Sequence, residues 1–83
     1  MRRKLLGINN YAERETNFMG TQTEIKLYEK IYALENEKGE VETLREIYTA
    51  GSDYLRKSVV TDENPYKLDF NFAENGEWEE YKR

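Results

Sequence analysis

A chain of 83 residues without a single cysteine must close its core with apolar side chains alone. The disulfide frameworks that hold small secreted domains together are out of reach. At this length one domain is expected, spanning residues 1–83. Such a domain buries only about 60–65% of its unfolded surface. Large side chains therefore have to supply much of the buried area. Seven Tyr, three Phe and one Trp do so, each ring burying a large area per residue. The chain is otherwise polar, with 36% charged residues and a mean hydropathy of −1.02. Its aromatic content still separates it from disordered sequences, which lack such rings.

The only apolar run near the start is Leu5-Leu6-Gly7-Ile8, too short for a signal peptide or a membrane span. No Asn begins a glycosylation sequon. With the missing cysteines, this points to the cytoplasm of a bacterial host cell and away from membranes. Abundant Glu, Lys, Asn, Tyr and Ile fit an AT-rich genome, bacterial or phage.

The firmest local pattern is near the C-terminus. Tyr66, Leu68, Phe70 and Phe72 alternate with Lys67, Asp69, Asn71 and Ala73. Period two means a strand with one apolar face. Asn75-Gly76 can turn the chain, so Glu77 to Lys82 is expected to return antiparallel and complete a hairpin over 66–82. The loop length decides where Trp78 points. A two-residue loop sets Trp78 on the polar face with Glu80 and Lys82, and Tyr81 on the apolar one. A three-residue loop places Phe72 opposite Trp78 and makes the Trp core.

Upstream, Thr21-Gln22-Thr23-Glu24 fits a helix capping box. Leu27, Tyr28, Ile31, Tyr32 and Leu34 follow at helical spacing, and Gly39 stands where a helix would end. This predicts a helix over 21–38. A rival reading takes Asn36-Glu37-Lys38-Gly39 as a hairpin turn, with Tyr28 facing Tyr48 and Lys30 facing Glu46. Residues 40–50 read as a strand. Ser52 is a plausible cap for a short helix to about Val60, with Leu55 and Val59 at i, i+4. Residues 1–20 keep neither period for long and suit an extended arm or an edge strand. The fold class expected is α+β: a small antiparallel sheet of three to four strands packed on one or two helices.

Catalytic chemistry is mostly missing. Without His or Cys, the common general base, the thiolate nucleophile and the usual transition-metal ligands are absent. No phosphate-binding glycine loop or nucleophile elbow occurs. Asp62-Glu63-Asn64 opens like a calcium loop, but Lys67 and Ala73 stand where Gly and the bidentate Glu are needed. No catalytic, cofactor-binding or metal site is expected, and the chain does not read as an enzyme.

Charge suggests binding instead. Arg2, Arg3 and Lys4 open the chain, and the rest carries 10 basic against 17 acidic side chains. An acidic body disfavours direct nucleic-acid binding and suits a partner with a basic surface. The candidate partner-binding set is Asp62, Glu63, Asp69, Glu74, Glu77, Trp78, Glu79 and Glu80. Carboxylates spaced along a hairpin can imitate phosphates and occupy a basic groove. A charged edge that deters aggregation accounts for the same residues. Trp78, if exposed, is the natural anchor.

From Leu44 onward the expected order is a strand, a Ser52-capped short helix, then the hairpin YKLDFNF–NG–EWEEY. This resembles the small epsilon-type accessory subunit of bacterial RNA polymerase and a phage polymerase inhibitor of similar topology. The resemblance implies an RNA polymerase accessory role. The leading expectation is a small acidic, non-enzymatic binding protein, of bacterial or phage origin, that inhibits or modulates a nucleic-acid-handling enzyme by covering its basic surface, as anti-CRISPR and other anti-defence inhibitors do. The alternative is a structural or homo-oligomeric module joined through Tyr-rich faces.

Overall fold

The computed structural model describes residues 1–68 and 76–82. Along the chain come β1 (Arg2–Thr16), β2 (Gln22–Glu35), β3 (Val41–Thr49), β4 (Tyr54–Thr61), a 3₁₀ turn (Pro65–Lys67) and β5 (Glu79–Glu80). The five strands form one antiparallel sheet in the order β4-β3-β2-β1-β5. The described residues contain no α-helix. The expected α+β architecture, with helices packed on three or four strands, is therefore corrected to a sheet without them.

The helix expected over 21–38 is strand β2, and its misleading spacing has a physical cause. β2 is the central strand, and both of its faces are covered over its last third. Ile31, Tyr32, Ala33 and Leu34 are consecutive and all buried. A strand buried on both sides loses the alternation that marks a half-buried one. Apolar residues then fall at i, i+3 and i+4 by crowding. The rival pairing is the one observed, with Tyr28 opposite Tyr48 and Lys30 opposite Glu46.

The short helix expected over 52–60 is strand β4. Its register on β3 slips by one between Ile47 and Tyr48, leaving Arg56 as the extra residue of a β-bulge. Leu55 lies opposite Tyr48 and Val59 opposite Arg45. Those partners stand on different faces, so Leu55 and Val59 do too. The i, i+4 pair came from the bulge. With that helix gone, the element order behind the polymerase-subunit resemblance is gone as well.

The C-terminal hairpin is corrected in part. Tyr66 and Lys67 belong to the 3₁₀ turn, and Tyr66 is exposed. Asp69, Phe70, Asn71, Phe72, Ala73, Glu74 and Asn75 lie outside the described residues. The returning segment does run antiparallel, but its partner is the start of β1: Arg2 faces Glu80 and Arg3 faces Glu79. Gly76 donates its N–H to the Leu5 carbonyl at 3.0 Å, and Tyr81 donates to the Met1 carbonyl at 2.9 Å. A Cβ at Gly76 would stand 3.0 Å from the Leu5 oxygen, so any larger residue would push the two segments apart by a few tenths of an ångström.

One face of the sheet carries the cluster Tyr32, Leu34 and Leu44, joined by Leu5, Val60 and Tyr81. The other buries Leu27, Ile31, Ala33 and Thr43. There Thr43 donates its hydroxyl to the Glu63 carbonyl at 2.8 Å, which ties the loop after β4 to β3. The sheet curls over this second face far enough for Arg56 of β4 to reach Glu15 of β1 at 3.0 Å, although two strands lie between them.

Candidate binding surfaces

Two members of the expected acidic set, Glu79 and Glu80, lie beside the basic start of the chain. Glu79 is neutralised by Arg3 at 2.7 Å. Glu80 faces Arg2 across the strand pair. Glu77, Asp62 and Glu63 are exposed and make no ion pair within the described residues. Asp69 and Glu74 fall outside those residues. Trp78 is half-buried, with the Arg2 guanidinium 5.2 Å from its ring centre. The aromatic that joins the apolar cluster is Tyr81, so Trp78 is neither the core ring nor a bare anchor.

The basic start of the chain has a structural role. Arg3 lies between two aromatic rings, 4.2 Å from the centre of Tyr32 and 4.7 Å from that of Tyr81. It also bridges the buried Glu46 at 3.0 Å. Tyr48 donates to the same Glu46 at 2.8 Å. Burial first, then that bond to a carboxylate, hold the Tyr48 hydroxyl well above the ordinary phenol range. Burial likewise raises Tyr32. Through Arg3 this network holds the C-terminal segment on the edge of β1.

At the other end, β1 and β2 run on as a two-stranded arm. The molecule measures 49 × 25 × 22 Å, and residues 12–24 are exposed throughout. The arm closes in a turn, Asn17-Phe18-Met19-Gly20. Asn17 donates to the Thr21 carbonyl at 2.9 Å, and Gly20 donates to the Asn17 carbonyl at 3.0 Å. The Asn17 side-chain oxygen accepts from the Met19 and Thr21 amides, both at 3.0 Å. Gly20 takes φ +81°.

The β2–β3 turn, Asn36-Glu37-Lys38-Gly39, repeats these bonds one for one. Asn36 donates to Glu40 at 2.9 Å and Gly39 to Asn36 at 3.0 Å. The Asn36 oxygen accepts from Lys38 and Glu40 at 3.0 and 2.9 Å, and Gly39 takes φ +78°. Asn at the first position and Gly at the fourth are thus what the backbone demands. The middle pair is free of that demand. In one turn it is Glu-Lys, as a solvated tip should be. In the other it is Phe-Met, with Phe18 98% and Met19 77% exposed.

Sequence reasoning missed this site, although its signal was present. The N-x-x-G pattern that suggested a turn at 36–39 occurs again at 17–20. Beneath the arm, the curled face holds a cleft of about 330 Å³ lined by Tyr11, Glu13, Leu27, Ile47, Arg56 and Lys57. No protein-family model, curated protein or solved structure matches this chain.

Proposed function

We propose that this is a small non-enzymatic protein-binding protein whose docking element is the β1–β2 arm, with Phe18 and Met19 as its apolar contact. The observation that supports it is the pair of turns. Identical backbones accept a polar middle pair at 36–39, so folding does not ask for Phe and Met at 17–20. A Phe side chain gains about 1.5–3 kcal/mol on leaving water, and here that gain is left for a partner. The arm is near neutral, with Glu13, Glu15 and Glu24 against Arg14 and Lys26. That composition favours a protein surface over nucleic acid. Without cysteine, the reading places the protein in the cytoplasm of its host.

A photo-crosslinking phenylalanine at Phe18 is expected to trap a protein, and the same probe at Glu37 to trap none. Equal yields at the two turns would end this reading. A second reading rests on Asp62, Glu63 and Glu77, which are exposed and make no ion pair among the described residues. These carboxylates would meet the basic surface of a nucleic-acid-handling enzyme and inhibit or modulate it. Association would then slow as salt rises.

A further inference from the structure

We infer that the end of the arm is a plug, which enters a pocket of the partner protein that is apolar at its floor and uncharged along its walls. The inference rests on the reading of the arm as the docking element and names the shape and chemistry of what it enters. Thr16 to Thr23 carry no charge, in a chain of which 36% is charged. All of them are exposed. The nearest charges below are Glu15 on β1 and Glu24 on β2. Three residues of strand, at about 3.4 Å each, separate Glu15 from Phe18, so the plug is about 10 Å long. It stands at the opposite end of β1 from Leu5, where Gly76 is bonded.

The turn can leave water at small cost. The amides of Asn17, Met19, Gly20 and Thr21 all donate to acceptors inside the turn. An amide buried without an acceptor is expensive, and these bring theirs with them. A flat contact makes poor use of that. A fully buried aromatic ring accounts for about 150–250 Å², against roughly 800 Å² per partner in a stable interface. The rest must come from the flanks of the arm. Thr16 pairs with Gln22, and Glu15 with Thr23. Successive rungs point to opposite faces, so Thr16 and Gln22 share one face and Thr23 lies on the other. A pocket that closes round the arm meets both faces, and a flat surface meets one.

The charges at the base describe the mouth of that pocket. On the curled face Glu15 meets Arg56 at 3.0 Å, and Glu13 lies behind it among the cleft residues. On the opposite face Arg14 stands across from Glu24. A collar of both signs fits the polar, solvated rim of a protein interface, and the uncharged length above it fits the desolvated centre. A bilayer is the poorer match. Elements seated in a membrane surface carry a surplus of Lys and Arg on their polar side. The base of the arm has Glu13, Glu15 and Glu24 against Arg14 and Lys26.

A crosslinking scan in cells of the host tests this, with a benzophenone amino acid placed singly at Phe18, Thr16, Gln22, Thr23 and Glu37 of the full chain. One and the same protein is expected from the tip and from both faces, at Phe18, at Thr16 or Gln22, and at Thr23, with none at Glu37. Crosslinks from the tip alone, or from one face only, would show a flat contact and overturn the inference while the arm reading stands. A Phe18 yield no higher than that at Glu37 would overturn both. Gln22→Glu changes a flank by a charge alone, at nearly constant shape. A carboxylate finds no partner in an uncharged wall, so capture at Phe18 should fall about tenfold or more with melting unchanged. Undiminished capture would contradict the plug. The chain has no cysteine, so Phe18→Cys can carry a single polarity-sensitive dye. Its emission should not shift on adding phosphatidylcholine vesicles, and a blue shift there would assign the tip to lipid and overturn the inference.

Discussion

The turns at the two ends of β2 share a backbone and differ in what they carry. At 36–39 the middle pair is Glu-Lys, and the turn sits on the sheet body, whose neighbouring strands bury Leu34, Thr43 and Leu44. At 17–20 it is Phe-Met, and the turn caps an arm whose last residues are exposed throughout. Stability is concentrated at the polar turn, and apolar surface at the turn that contributes little to the core. Composition alone would have suggested the reverse. An apolar side chain at a position with no packing role is the kind of residue that contact with another molecule explains.

The contrast sharpens at the body end through Arg3. Replacing it with Ala leaves Glu46 buried without its cation and removes the group between Tyr32 and Tyr81. Breaking a buried pair costs about 3–5 kcal/mol. A domain of this length holds about a tenth of a kcal/mol per residue, on the order of 4–12 kcal/mol in all. Urea denaturation should therefore show most of the stability lost. A midpoint within experimental error of wild type would mean that the network does not hold the C-terminal segment.

Next in size come the two turn glycines. Valine at either position must adopt a positive φ, which costs roughly 1–2 kcal/mol. At Gly39 the strands on both sides are in the core, so the penalty should appear in global melting as a fall of about 4–16 °C. At Gly20 it should appear as lost amide protection confined to the arm, with little change in melting temperature. Equal shifts for Gly20→Val and Gly39→Val would show that arm and body unfold as one unit, and the comparison would fail.

These differences mark how far the sequence was legible. Turn chemistry could be read, because Asn and Gly act through the backbone of their own segment. The β2–β3 register could be read as a rival, because Tyr28 with Tyr48 and Lys30 with Glu46 are complementary pairs. The type of β2 could not, because burial of Ile31 to Leu34 on both faces erases alternation. β4 was hidden by the bulge at Arg56, a local slip that no periodicity reveals. The role of Arg2 and Arg3 was concealed for another reason. Their partners, Trp78, Glu79 and Tyr81, lie at the far end of the chain, and only the fold brings them together.

A smaller effect concerns pH. Tyr32 and Tyr48 have hydroxyls raised above the ordinary value of 10.0 in the folded state, chiefly by burial. Folding therefore favours the protonated phenol. The stability this contributes is fully present below about pH 10, and it declines as pH climbs from there toward the higher folded values. Tyr48→Phe should reduce the slope of stability against pH in that range, without moving the curve's acid side. An unchanged alkaline slope would mean that Tyr48 titrates as an ordinary exposed phenol.

The smallest change in stability is expected from the substitution that bears most on the account. The double variant Phe18→Glu with Met19→Lys rewrites the arm's turn as a copy of the body's turn. Asn17, Gly20 and every backbone bond between them are left in place. Surface substitutions of this kind stay within about 0.5 kcal/mol, so the melting temperature should match wild type. Association measured on the same samples, by pull-down of the captured partner or by sedimentation, should be lost. Unchanged melting with lost association is the result predicted. Unchanged association, or a large loss of stability, would show that Phe18 and Met19 serve the fold, and would contradict the assignment of the arm as the docking element.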